Sequence, residues 1–213
     1  MACGESAFSR SDMMKARYWI ALALLGLVGA CTYRFLGGLR TDVYYGQVVD
    51  AERGTPISEA TVTVIWYRAG VGIETHPLSL LNAQETVTDA TGRFSLTVSP
   101  GLDWNPLTTR VDDPSVVIYK PGYQPLGDGT IVRYGFKDTE SLVASLKHGA
   151  TIRLRTLEAA KKTGTDYVSP GSVLPGSSIP RERIPHLMRA INLQSKMAGT
   201  QPYPEPGQKE STR

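Results

Sequence analysis

Three short runs with a two-residue hydrophobic period set the strongest limit on what this chain can fold into. In ATVTVIWY, Ala60, Val62, Val64 and Trp66 alternate with Thr61, Thr63, Ile65 and Tyr67. In GRFSLTV, Phe94, Leu96 and Val98 alternate with Arg93, Ser95 and Thr97, and in TIRLRT, Ile152 and Leu154 oppose Arg153 and Arg155. A period of two sends successive side chains to opposite faces, so each run predicts a strand with one face on a core. Val43 to Asp50, Glu85 to Thr88 and Val116 to Tyr119 are shorter strand candidates. The punctuation agrees with this reading. Asp89-Ala90-Thr91-Gly92 reads as a hairpin loop, in which Asp89 bonds its own backbone two residues on and Gly92 takes positive φ. Pro100-Gly101 and Pro121-Gly122 close two further strands. Short strands joined by turn clusters predict an all-β, antiparallel sandwich.

The charge balance narrows the function classes. The chain carries 23 basic and 20 acidic side chains, with no block of one sign. Phosphate backbones need a clustered basic face, so nucleic acid is not an expected partner.

The N-terminal region points to a compartment. Lys15 and Arg17 precede an uncharged apolar segment, Tyr18 to Ala30, of 13 residues. A spanning helix needs roughly 20, so the segment suits the apolar region of a secretory signal with Gly29 and Ala30 near the cut. It ends on Cys31, and the other cysteine of the chain is Cys3. Val28-Gly29-Ala30-Cys31 resembles the lipobox of bacterial lipoproteins. That resemblance implies cleavage before Cys31, a diacylated Cys31 thiol, an acylated new N-terminus and membrane attachment through lipid. Each buried CH₂ contributes about 0.8 kcal/mol, so two or three acyl chains hold a protein durably. Thr32 stands where many inner-membrane lipoproteins have aspartate, which by family analogy leans toward the outer membrane. Residues 1–13 precede the basic stretch and fit a start-codon extension better than a signal. With Cys3 removed and Cys31 acylated, no thiol is left for a disulfide, and packing alone must hold the exported domain together.

A second resemblance spans Val43 to Thr156. YGQVVDAERGTPISEATVTV, TVTDATGRFSLTVSPG and VVIYKPGY are similar to the carboxypeptidase regulatory-like domain. Gly46, Val48, Asp50, Gly54, Pro56, Ile57, Ala60, Val62 and Val64 fit its pattern in order, followed by Thr88, Asp89, Gly92, Phe94, Pro121, Gly122 and Tyr123. The resemblance implies a transthyretin-like Greek-key β-sandwich of about seven strands. Glu59 replaces the family's usual glycine, and Arg68 to Ala83 reads as a long loop. The expected organisation is a signal peptide at 1–30, a lipidated tether at 31–42 and the sandwich at 43–157. An irregular arm and helix follow at 158–200, then a disordered tail at 201–213. In IPHLMRAINLQSKMAG, Pro185 suits a first helical turn and Gly199 a stop. Leu187, Ala190, Ile191, Leu193 and Met197 make the apolar stripe, with Arg189, Asn192 and Lys196 opposite.

Catalytic chemistry finds little support. His76, His148 and His186 show no metal-ligand spacing, so neither a metal nor a cofactor beyond the Cys31 lipid is expected. No G-x-S-x-G elbow is present. The regulatory-like domain is not the zinc-bearing part of a carboxypeptidase. The chain ends Lys-Glu-Ser-Thr-Arg, not in the Tyr-Arg-Gly-Ser of transthyretin-like hydroxyisourate hydrolases. The loop GLDWNPLTTRVDDP has a binding look: Trp104 can stack on a sugar or peptide ring, and Asp103, Asp112 and Asp113 can accept from hydroxyls or hold calcium. The same residues are ordinary turn formers. The expectation is a non-catalytic envelope lipoprotein serving as a structural or protein-interaction module, with a protein partner in the envelope. A carbohydrate- or peptide-binding module using the Trp104 loop is the alternative, and a hydrolase with an unrecognised site comes behind it.

Overall fold

The structure is a computed structural model of the 213-residue chain. It describes residues 17–26, 28–29, 41–70, 79–101, 108–110, 114–127, 130–162 and 179–204. Residues 17–26 and 28–29 are helical (α1). The body is built from β1 (Asp42–Asp50), β2 (Thr61–Gly70), β3 (Ser79–Val87), β4 (Arg93–Val98), β5 (Thr108–Arg110), β6 (Ser115–Tyr119) and β7 (Ala150–Leu154). Helices α2 (Thr139–Lys147) and α3 (Leu157–Lys162) flank β7, and α4 (Pro185–Met197) follows an undescribed stretch.

The strands form two small sheets. In the first, β1 lies between antiparallel β4 and parallel β7. In the second, β2 is central: β3 pairs along one edge, while β6 and β5 share the other, opposite residues 61–65 and 68–70 of β2. Both sheets feed one core, in which Val48 of β1, Phe94 of β4 and Ile152 of β7 cluster with Val62 and Val64 of β2 and Ile118 of β6. The alternation in GRFSLTV and TIRLRT therefore acts as expected, sending Phe94, Val98, Ile152 and Leu154 inward.

The turns behave as their chemistry demands. Asp89 Oδ1 accepts from the N–H groups of Thr91 (2.8 Å) and Arg93 (3.0 Å), and Gly92 sits at φ 72°. A Cβ on Gly92 would collide with the Val48 carbonyl oxygen, so both the φ and the close approach require glycine there. Glu59 has φ 53°, and it is the non-glycine with positive φ among the described residues.

Several elements differ from the sequence reading. The fold is mostly β with helices, not all-β. Within the segment read as a loop from Arg68 to Ala83, the described residues are strand: β2 runs to Gly70 and β3 starts at Ser79. Helix α2 went unread. It is started by Asp138, whose Oδ1 accepts from the Ser141 N–H (2.9 Å) while the Asp138 N–H donates to Ser141 Oγ (3.2 Å). Its Leu142 and Leu146 join the main core, and Lys147 pairs with Asp42 at 2.9 Å. Residues 61–67 of β2 are buried on both faces because α4 covers the side opposite the main core. There Val117 and Tyr119 of β6 pack with Ile184, Leu187, Met188 and Ile191. The stripe of α4 is shifted from the expected one. Met188 and Gln194 are buried, whereas Leu193 (52% exposed) and Met197 (64%) face out. The helix turns toward the side where Gln194 Oε1 accepts from the Gly122 N–H at 2.7 Å. Residues 201–204, read as the start of a disordered tail, lie along α4. The Asn192 amide exchanges hydrogen bonds with the Tyr203 backbone (2.8 and 3.1 Å), and Arg181 stands over the Tyr203 ring.

Candidate functional site

Two features stand apart from plain core packing: the apolar helix α1 and a cleft at the far end of β1. In α1 every described side chain is exposed, including Trp19 and Leu25 at 72% each. Val28 and Gly29 lie at its end and are exposed as well. Ala30 and Cys31 lie outside the described residues. Among the described residues no helix is long and apolar enough to cross a membrane.

The cleft forms where β1 and β7 end side by side. Their parallel register sets Val49 beside Arg153 and Asp50 beside Leu154, and the Ala51 N–H donates to the Leu154 carbonyl at 2.8 Å. Ile152 and Leu154 take the core positions, so Arg153 and Arg155 project outward on the same side. The 3-10 turn Ile131–Tyr134 contributes Arg133 and Tyr134, and α3 contributes Ala159. With Ala51 and Glu52 these residues line a half-open cleft of about 550 Å³.

Backbone-anchored hydrogen bonds hold its floor. The Gln124 N–H donates to the Arg155 carbonyl (2.8 Å), and the Tyr134 hydroxyl donates to the Gln124 carbonyl (2.7 Å). Burial pushes the Tyr134 hydroxyl far above the ordinary tyrosine range, against the opposing pull of the Arg155 and Arg133 charges, so it stays a neutral donor. Beneath the rim, Asp50 is buried. Its Oδ1 accepts from the N–H groups of Arg53 (2.8 Å) and Glu52 (2.9 Å), and its Oδ2 accepts from the Tyr123 hydroxyl (3.0 Å). Burial works to raise the Asp50 pKa, but these hydrogen bonds outweigh it and hold the carboxyl below its ordinary value. Burial and the Asp50 carboxylate push the Tyr123 hydroxyl upward. An ionised carboxylate with its lone pairs engaged organises a turn and does not serve as a base at neutral pH. Asp50 therefore positions Glu52 and the rim of the cleft.

None of the candidate site residues singled out in the sequence is among the described residues that line the cleft. Trp104, Asp103, Asp112, Asp113 and His76 lie outside the described residues. His148 caps α2 and is exposed, and His186 lies exposed in the first turn of α4. Among the described residues no group of three or more His, Cys, Asp or Glu side chains can hold a metal ion. Arg153 and Arg155 were legible as outward-facing. Their convergence with Arg133, twenty or more positions away in sequence, was not, because tertiary packing creates it.

No family model matches the chain, and no curated protein does. A similar solved structure is that of an alternative pilotin from the type II secretion system of Vibrio cholerae, at 17% identity. The match covers 55% of this chain and 96% of that one, with a TM-score of 0.20. At that score the likeness carries no argument about fold or role here. The resemblance to the regulatory-like domain accordingly stands on its residues alone.

Proposed function

We propose that the protein is a bacterial envelope lipoprotein, anchored by acyl chains on Cys31, whose β-rich body is a non-catalytic structural or protein-interaction module. The observation that carries this reading is α1. Tyr18, Trp19, Ile20, Leu22, Leu24, Leu25 and Val28 are all exposed on one short helix. Such a continuous apolar surface needs an apolar surrounding, which a bilayer supplies to a signal segment before it is cut away. The small residues that follow and the cysteine at position 31 suit lipid attachment at that point. The strand arrangement supports a transthyretin-like Greek-key sandwich for the body. The first strand pairs in parallel with the last, β4 flanks it, and β2 is central in the facing sheet. Thr32 favours the outer membrane over the inner one.

The test is metabolic labelling with a radioactive fatty acid, with fractionation of wild type and Cys31→Ser. Label on the wild type alone, with the variant accumulating as an uncleaved precursor, is the expected result. An unlabelled wild type and a Cys31→Ser chain that matures and fractionates normally would overturn the proposal.

A further inference from the structure

We propose that the cleft at the ends of β1 and β7 binds a phosphate monoester, its oxyanion held by Arg133, Arg153 and Arg155. Arg153 and Arg155 leave the same side of the chain two residues apart, so their Cα atoms are about 7 Å from each other. Arg133 arrives from the separate 3-10 turn, and the three residues share one concave lining. Arginines on a convex solvated face diverge; here two elements, the end of β7 and the 3-10 turn, bring them to one concave lining. Among the described residues, no ion pair engages the Arg153 or Arg155 side chain. Among the described residues of the lining, Glu52 is the acidic one.

Fork geometry selects the ligand. Arg153 and Arg155 make no ion pair among the described residues, so two guanidinium forks are open to the cleft. A phosphate monoester carries about −1.5 to −2 at pH 7 and has three terminal oxygens, enough to engage both forks, whereas a carboxylate's two oxygens are filled by one. The planar guanidinium fork suits paired phosphate oxygens. The space also exceeds what inorganic phosphate needs, since about 550 Å³ lies within the range of small-molecule pockets. Ala51 and Ala159 leave that room, and the half-buried Tyr134 ring, tethered through its hydroxyl, offers a fixed apolar wall for the organic part. Because Arg155 and Tyr134 are both tied to Gln124, the cleft is organised before a ligand arrives.

Two sources carry this chemistry: a water-soluble phosphate ester and the monoester headgroup of a phospholipid. The test is titration calorimetry on the full chain in micelles of a neutral detergent. The probes are glycerol 3-phosphate, glycerol, and micelles doped with phosphatidic acid or phosphatidylcholine. Saturable binding of a phosphate-bearing probe is expected, with no response to glycerol or phosphatidylcholine. It should weaken about tenfold or more in the Arg153→Ala/Arg155→Ala variant. Because both side chains are exposed, that variant should melt as wild type does. Binding of glycerol 3-phosphate that phosphatidic acid does not displace assigns the water-soluble source, and displacement assigns the headgroup. No saturable binding to either phosphate probe, or equal affinity in the double variant, would overturn the proposal.

Discussion

Helix α4 begins without a capping side chain of its own, and Glu85 of β3 supplies the cap from a hundred residues away. The helix N-cap is Ile184, which offers no side-chain acceptor. Glu85 Oε2 accepts from the His186 N–H (2.8 Å), and Oε1 accepts from the Leu187 N–H (3.0 Å) and the Thr63 hydroxyl (2.9 Å). Replacing Glu85 by Ala removes a helix cap (about 0.5–2 kcal/mol), a charge at the positive end of the helix dipole (about 0.3–1 kcal/mol) and the acceptor of the buried Thr63 hydroxyl (about 1 kcal/mol or more). These overlap, so about 2 kcal/mol is expected. Burial of Ile184, Leu187, Met188 and Ile191 contributes about 1.5–3 kcal/mol each before ordering costs, so α4 loosens but stays docked. Hydrogen exchange distinguishes this from general damage. The amides of α4 should exchange about 30-fold faster in Glu85→Ala, the ratio equivalent to 2 kcal/mol, with β1 and β7 much less affected. Glu85→Gln keeps one acceptor and loses the charge, so it should fall between the two. Exchange in α4 unchanged within about twofold in Glu85→Ala would refute the capping argument.

Three further outcomes follow from single positions. Glu59→Gly should stabilise the protein by about 0.5–1 kcal/mol in urea titration, since it releases a left-handed backbone cost of about 1–2 kcal/mol and loses an exposed 3.7 Å pairing with Lys120 that contributes little. A destabilised variant would show that the Glu59 side chain does more than tolerate its backbone. Gly92→Ala and Gly122→Ala both place a Cβ at positive φ, but a Cβ at Gly122 meets open space while one at Gly92 meets the Val48 carbonyl. Gly92→Ala should therefore cost about 1–3 kcal/mol more than Gly122→Ala, and equal midpoints would contradict the close approach. Because the folded Asp50 carboxyl titrates below its unfolded value of 3.8, its stabilisation is present in full above that range and is lost as pH falls through the folded value. Wild type should lose stability below about pH 4 more steeply than Asp50→Asn, and parallel acid limbs would refute that assignment.

How much of this was legible in the sequence depends on which physical signal each element rests on. Strands β4 and β7 are legible because one face is buried and the alternation is local, whereas β2 and β6, buried on both faces, show through their runs of β-branched and aromatic residues. The hairpin before β4 was legible from Asp89 and Gly92 because that signal is local as well. Helix α2 was missed although Asp138 and Ser141 form a capping box and Leu142, Val143 and Leu146 share a face. Nine residues give too little periodicity to compete with the surrounding strand signals. The stripe of α4 was misplaced toward Leu193 and Met197 because apolar character alone was counted, whereas the docked face includes Gln194, whose amide serves the Gly122 turn. The Glu59 position is the reverse case. The sequence shows Glu59 only as a departure from the family's glycine, and the left-handed backbone behind it, φ 53°, emerges in the structure.

The two proposals meet in the geometry of β1. The stretch that follows Cys31 enters the body at Asp42, while Ala51 and Glu52, just beyond Asp50, line the arginine cleft. Eight steps of about 3.3 Å separate Asp42 from Asp50, so the entering chain and the cleft lie roughly 26 Å apart at opposite ends of one strand. β7 runs parallel to β1, and its arginines therefore gather at that same far end. Lys147 clamps Asp42 at the near end, and the Tyr123 and Gln124 backbone and side-chain bonds pin the far one. If a lipid at Cys31 draws the near end toward the bilayer, the cleft faces away from it. That arrangement favours a water-soluble ester over headgroups of the anchoring membrane. It also predicts that glycerol 3-phosphate binds the anchored chain in phosphatidylcholine vesicles as tightly as in micelles, a comparison calorimetry can make directly. Affinity lost on moving from micelle to vesicle would mean that the bilayer covers the cleft, and the proposed orientation would be wrong.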